Sequence, residues 1–343
     1  MAEDRADSAP QLRIDPVSGL RVIVAGARGE RPGAWVKLEP PPAIDPDRDP
    51  FAEGHEDQTP PDLHAVRPNG GDADGPGWRV RVVPNLYPAL AEGKADTRDP
   101  LTVGRGDPDL FVSRPAAGAH EVIVNTPASV SSLHDLSPEE LEAAMAVWRE
   151  RIRAHDGASY VHLIVNEGRA AGASLPHTHA QLYALPFVPA TVARERERFT
   201  AYSDRTHGRN LLADLLQEEV RRRERLISVD GEAVAICPFA SRVPFHVQVI
   251  PRAPAPRFED EGPLGARLLH EVLGRLAAVL GAVPPLNLWV RTAPRGAGAF
   301  CWRIDVLPRL AQLAGLEVGA GVDLNVLAPE RAAERLREAQ PAA

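Results

Sequence analysis

The sequence predicts an α+β fold made of a duplicated unit, with mixed or antiparallel sheets and helices packed on them. Three observations carry that expectation. The order strand, helix, strand, strand occurs twice at nearly the same spacing, once over 120–185 and once over 245–307. The last strand of each copy runs into Leu-Pro, at Leu185-Pro186 and Leu307-Pro308. Each half is also apolar enough to bury a core, since 44% of the 343 residues are hydrophobic.

Residues 1 to about 10 read as a loose tail. Arg21–Ala25 and Trp78–Val83 are rich in β-formers, and the second alternates. Residues 40–77 between them are rich in Pro, Asp and Gly without periodicity, so the stretch is either disordered or functional. A shorter irregular stretch covers 97–118. Strands follow at His120–Val124, Tyr160–Val165 and Gln181–Leu185. Between the first two, Ser137-Pro138-Glu139-Glu140 is a capping box with Pro at the first helical position. Leu141, Ala144, Met145 and Trp148 then recur at helical spacing. In the second copy the strands are Phe245–Ile250, Leu286–Arg291 and Trp302–Leu307, with a helix over Leu264–Leu280. Further helices are expected over 209–226 and 329–338. The boundary falls in the Pro-rich to Arg/Glu-rich stretch near 187–200, giving domains 1–190 and 191–343. Counted back from Leu-Pro, His179 lies opposite Cys301, so one copy carries chemistry and the other supplies architecture.

The formal charge of -8 argues against nucleic-acid binding. The polar N-terminus and the lack of a spanning apolar run argue against a membrane location. Cys237 and Cys301 stand apart without metal-ligand spacing, which fits a reducing, cytoplasmic setting.

The chemistry concentrates in 166–186, which reads NEGRAAGASLPHTHAQLYALP. His177 and His179, two apart on an extended chain, face one side. The small residues Ala170 to Ser174 let backbone amides approach a phosphate. Asn166, Ser174 and Gln181 add neutral hydrogen-bonding groups. A neutral imidazole attacks phosphorus well and leaves well from the resulting phosphoramidate, which suits two-step transfer. Two blander readings stand beside this one: a pair of buried, hydrogen-bonded strand histidines, and a His-x-His metal site, which needs further ligands.

The segment resembles galactose-1-phosphate uridylyltransferase and its relatives in the histidine-triad superfamily, including the ADP-sugar phosphorylases. Gln181 stands where triad hydrolases have a third histidine. The resemblance extends to Leu12-Arg13-Ile14-Asp15-Pro16, Arg28-Gly29-Glu30-Arg31-Pro32, the run Arg81 to Ala89, the run Gly118 to Val124, Pro238 to Arg242 and Ala314 to Glu317. It implies two histidine-triad-like domains, the first with the active site and the second degenerate. It implies His179 as the nucleophile, with Gln181, Ser174 and Asn166 on phosphoryl oxygens. It further implies Arg28 and Arg31 neutralising phosphate, Asn85 in the nucleoside pocket, and His177 orienting the His179 ring through its backbone carbonyl. The implied reaction moves UMP from UDP-glucose to galactose 1-phosphate, with an ADP-sugar phosphorylase or a non-catalytic nucleotide-sugar binder as alternatives. The implied partners are a nucleotide sugar and a sugar 1-phosphate, in a homodimer.

The zinc places of the family are altered. Asp49 and Ala52 occupy the Cys-x-x-Cys positions, Ser129 replaces a histidine, and only His177 survives. A second site is degraded to Asn210-Leu211-Leu212-Ala213, Pro254 and Cys301-Trp302-Arg303. No bound metal or other cofactor is expected. A metal-dependent hydrolase is therefore the weakest reading.

Overall fold

A computed structural model describes residues 9–31, 35–36, 38–41, 43–91, 93 and 115–340. Most of the tail and most of the irregular stretch at 97–118 lie outside the described residues. Thirteen strands and six α-helices are described. The strands are β1 Gln11–Ile14, β2 Arg21–Val24, β3 His64–Val66, β4 Val80–Pro84, β5 Ala119–Val124, β6 Tyr160–Glu167, β7 His179–Leu185, β8 Leu226–Val229, β9 Ala233–Ile236, β10 Val247–Pro251, β11 Leu286–Arg291, β12 Arg303–Pro308 and β13 Asp323–Asn325. The helices are α1 Pro138–Ala154, α2 Ala190–Arg205, α3 Leu211–Arg222, α4 Ala266–Leu280, α5 Gly315–Ala320 and α6 Pro329–Glu338.

Ten strands form one sheet in the order β3-β4-β5-β7-β6-β11-β12-β10-β9-β8. Its ladders are all antiparallel. The order is a mirror image: β3, β4, β5, β7, β6 answer β8, β9, β10, β12, β11. The duplication is therefore visible in the topology, with α1 and α4 at equivalent places. The two copies meet edge to edge where β6 pairs with β11, from Leu286↔Glu167 to Val290↔Leu163. That pairing removes an exposed edge from each copy. A second sheet, β1-β2-β13, lies apart from this one and holds a parallel β2–β13 pair.

Alternation divides each central strand between two faces. Ala180, Leu182 and Ala184 of β7 join Leu163 and Val165 of β6 in the core beneath α1 and α4. Leu141, Ala144, Met145 and Trp148 of α1 fill the same core, and the Ser137 capping box forms. The opposite, open face carries His179, Gln181 and Tyr183. The alternation expected for Trp78–Val83 is absent, because β4 is buried on both faces. Arg81 turns inward and pairs with Asp62 and Thr59 of the preceding loop.

Residues 40–77 are held by side chains. Besides Arg81, Trp78 donates from Nε1 to Glu56 at 2.7 Å. The stretch near 187–200 forms most of the helix α2. Its apolar residues are sparse, with only Val192, Glu195 and Phe199 buried, so periodicity did not reveal it. Asn210, at one of the altered metal places, is the N-cap of α3, accepting from the amides of Leu212 and Ala213. Arg303 pairs with Glu195 at 3.1 Å, and Cys301 is buried with its thiol pushed up to about 12 by that burial.

Arg149 stitches the copies together. From α1 it donates to the carbonyls of Phe258 and Leu264 and lies 3.9 Å over the Phe258 ring. Burial pulls its pKa down to about 10, still well above neutrality. Arg149→Ala is expected to cost about 2–4 kcal/mol, because buried carbonyls lose a charged donor and a ring loses its cation. Arg149→Lys should recover little of it, since a lysine cannot reach both carbonyls and the ring. Urea unfolding midpoints of the two variants check this.

Candidate active site

The two histidines of the His177-Thr178-His179 segment do different work. His179 opens β7 and is 5% exposed. Its Nδ1 donates to the carbonyl of His177 at 2.7 Å. A carbonyl can only accept, so Nδ1 carries the hydrogen and the lone pair resides on Nε2. Among the described residues no hydrogen bond occupies Nε2. Burial lowers the His179 pKa, which outweighs the stabilising bond to the His177 carbonyl and keeps the ring neutral. This is the state a nucleophile requires.

His177 is fully buried and its ring is fully engaged. Nε2 donates to the carbonyl of Thr126 at 2.9 Å, and Nδ1 lies 2.6 Å from Asp49 Oδ2. No nitrogen of the His177 ring is left for a ligand, so its side chain does not serve as a substrate-binding group. Its backbone carbonyl does the orienting that was expected.

Asp49, Ser129 and His177, all at family zinc places, come together. Asp49 Oδ2 also accepts from Ser129 Oγ at 2.7 Å. Burial works to raise the Asp49 pKa, but bonds from His177 and Ser129 overcome it and hold the carboxyl below its usual range. A structural zinc site wants four ligands, with Cys and His the usual set. Here one carboxylate, one hydroxyl and one imidazole already satisfy one another, and Ala52 offers no ligand. These residues do not fit such a site. The hydrogen-bonded cluster ties the loop carrying Asp49 to the base of the His177-Thr178-His179 segment.

That loop also walls the site. Phe51 meets the rings of His179 and His177 edge-on, with centroids 5.2 and 6.0 Å away. It packs with Trp78, Val83, Val122 and Val124 in a small apolar cluster. On the other side, Glu167 accepts from Ser132 Oγ (2.7 Å), the Leu133 amide (2.6 Å) and Thr178 Oγ1 (3.2 Å). Burial dominates and raises the Glu167 pKa to about 7. Thr178 is thereby fixed between the two histidines.

The β5–β7 ladder pairs Val124↔His179, Val122↔Gln181 and His120↔Tyr183. The tight junction before β5 needs Gly118: its φ is +146°, and a Cβ there would sit 2.2 Å from the Ala184 carbonyl oxygen. Gln181 lies next to His120 and Tyr183, at 3.0 and 2.9 Å. Asn85, just after β4, reaches the same group, with Nδ2 3.2 Å from His120. Asn166 is one register step beyond the Val165↔Ala180 pair and so stands beside His179. Its Oδ1 accepts from Asn287 at 2.6 Å. Ser174 is exposed on the loop before His177. It lines a cleft of about 570 Å³ with Ser131, Arg169, Pro176 and Pro285. Arg28 and Arg31 lie at and just after an exposed turn that follows β2 in the small sheet. Among the described residues no hydrogen bond or ion pair joins them to the His179 cluster.

Sequence reasoning thus named His179, Gln181, Asn85 and Asn166, which the fold brings to one region, and Ser174, which lines a cleft that it shares with Glu167. It missed His120, Tyr183, Phe51 and Glu167. His120 and Tyr183 stood inside quoted motifs, but only strand register shows that they touch Gln181.

Asp49→Ala is expected to leave His177 Nδ1 and Ser129 Oγ without their buried acceptor and cost about 3–5 kcal/mol. Denaturant unfolding at pH 7 measures it. The variant should also lose ordered placement of Phe51, read as faster proteolysis within 40–77.

The family described as galactose-1-phosphate uridyl transferase, N-terminal domain, matches residues 1–189. A domain of unknown function, DUF4921, matches 117–341. The chain is 30% identical to ADP-glucose phosphorylase of Arabidopsis thaliana over 97% of this chain and 93% of that protein. It is 28% identical to galactose-1-phosphate uridylyltransferase of Rattus norvegicus, over 97% and 88%. The crystal structure of an ADP-glucose phosphorylase from Arabidopsis thaliana with bound ADP-glucose superposes with a TM-score of 0.78 at 27% identity, covering 97% of this chain and 100% of that one. The chain belongs to the galactose-1-phosphate uridylyltransferase family of nucleotidyltransferases, within the histidine-triad superfamily.

Proposed function

We propose that this chain transfers a nucleotidyl group from a nucleoside diphosphate hexose to a phosphorylated acceptor through a covalent intermediate on His179. One observation carries the reading: a buried, neutral His179 whose Nδ1 is committed to a carbonyl, leaving Nε2 as the free lone pair. In the first step Nε2 attacks the α-phosphorus, the N–P bond forms, the bond to the bridging oxygen breaks, and hexose 1-phosphate leaves. The positive charge on the ring is shared with the His177 carbonyl through Nδ1–H. In the second step an acceptor phosphate oxygen attacks, the N–P bond breaks, and the neutral ring returns.

The pair first expected from the sequence is UDP-glucose with galactose 1-phosphate. The adenylyl version has the better support, because the ADP-glucose phosphorylase is 30% identical over 97% of the chain and the uridylyltransferase reported above is 28% identical. In that version ADP-glucose is the donor and inorganic phosphate the acceptor. Asn85, Gln181, Asn166 and Ser174 then bind the nucleotide, with Arg28 and Arg31 acting on phosphate. A homodimer, a cytoplasmic location and independence of bound metal remain part of the proposal. Elemental analysis of the purified protein tests the last of these.

Intact-protein mass spectrometry after mixing with ADP-glucose or UDP-glucose decides between the bases. An adenylyl adduct is expected, released by phosphate and absent in His179→Asn. A uridylyl adduct released by galactose 1-phosphate would instead support the first pair. No adduct from either donor sinks the mechanism. A non-catalytic binder predicts that His179→Asn changes nothing.

The pH dependence follows from the lowered His179 pKa. The neutral, attacking form is present above the folded pKa and is lost as pH falls through it. That value lies below the ordinary 6.5. The acid limb of kcat/KM assigned to His179 should therefore lie below pH 6.5.

A further inference from the structure

A side-chain amide has a donor end and an acceptor end, and only the donor end attracts a phosphoryl oxygen. For Gln181 the neighbours decide which end faces the site. The Ala89 backbone N–H, which can only donate, lies 3.1 Å from His120 Nδ1. That nitrogen holds the lone pair, so in the neutral ring the hydrogen is on Nε2. Burial lowers the His120 pKa and favours this neutral form. His120 Nε2 and the Tyr183 hydroxyl then converge on one atom of Gln181, at 3.0 and 2.9 Å. An atom receiving two donors is the amide oxygen. The Asn85 oxygen accepts from the Tyr87 amide at 2.8 Å, so its Nδ2 approaches His120 bearing hydrogens and is no acceptor for the ring. Stacking between His120 and Tyr183, with centroids 4.1 Å apart and planes 23° apart, holds both donors in place.

We propose that His120 and Tyr183 are positioning residues that lock the Gln181 amide, its oxygen turned toward them and its NH2 turned toward the α-phosphoryl group. The proposal rests on the nucleotidyl-transfer reading. An unlocked amide spends part of its time reversed, with its carbonyl beside an anionic phosphoryl oxygen. The reversed carbonyl can also accept a hydrogen bond from a water molecule and so hold its oxygen where it attacks phosphorus. The O–P bond then forms, the N–P bond breaks, the proton passes to solvent, and free nucleoside monophosphate leaves with His179 restored. The lock thus favours formation of the intermediate and protects it from water.

Single-turnover nucleotidylation and release of free nucleoside monophosphate, measured on the full chain, test the idea. Tyr183→Phe and His120→Phe keep a stacked pair and each remove one donor. Each is expected to slow nucleotidylation by about tenfold, the upper end for one lost hydrogen bond between neutral groups. Substrate KM should change far less, and the hydrolysed fraction per turnover should rise. His120→Gln, whose NH2 can donate to the same oxygen, should recover most of both effects. Wild-type rates and an unchanged hydrolysed fraction in both Phe variants would overturn the proposal. So would losses that track a lower melting temperature and are not recovered by His120→Gln. Imidazole 15N NMR of the unliganded protein at pH 7 is independent of the transfer reading: the Nε2–H tautomer of His120 is expected, and the Nδ1–H tautomer overturns the lock. If the wild type forms no adduct yet shows the Nε2–H tautomer, the transfer reading fails and the amide orientation stands.

Discussion

The bond from His179 Nδ1 to the His177 carbonyl, 2.7 Å long, governs the chemistry of the site. It fixes the tautomer, points Nε2 outward and, in the proposed reaction, shares the positive charge of the intermediate. It is only as reliable as the backbone at His177. That backbone is held by a buried ring whose two nitrogens are tied to Thr126 and Asp49, and by Thr178, tied to Glu167. The second layer is thus made of hydrogen bonds that fix the backbone beneath His179.

The duplication explains why so open a face can be rigid. Joining β6 to β11 makes one ten-stranded sheet from two five-stranded ones, with α1 and α4 packed on a shared core. Arg149 crosses from one copy to the other beneath it. The open face can then carry polar side chains without loss of the fold, because the helix-covered face supplies the apolar burial. In the second copy the equivalent face has been filled by ion pairs. Arg303 on β12 stands where the first copy has Gln181 on β7, and it pairs with Glu195 and Asp305.

Much of the fold was legible because its signals are local. The capping box at Ser137, the spacing of Leu141 to Trp148 and the alternation of β7 depend on residues a few places apart. The missed elements had weak local signals. The helix α2 buries few apolar residues, and β3, β8, β9 and β13 are three or four residues long. The loop at 40–77 looked shapeless because its order comes from Arg81, Trp78 and His177, none of them within it.

The sequence by itself determined the repeat and the side of β7 on which His179, Gln181 and Tyr183 fall, since each follows from short-range spacing and residue type. The tertiary structure alone decided what those residues touch. Asp49 meets His177 across 128 residues, and His120 meets Gln181 across 61. Contacts at that separation depend on strand register and loop docking, which no local pattern encodes. The same contacts settle the tautomer of His120 and the orientation of Gln181. A residue's identity states which donors and acceptors it owns, while only its neighbours in space determine which of them faces the substrate.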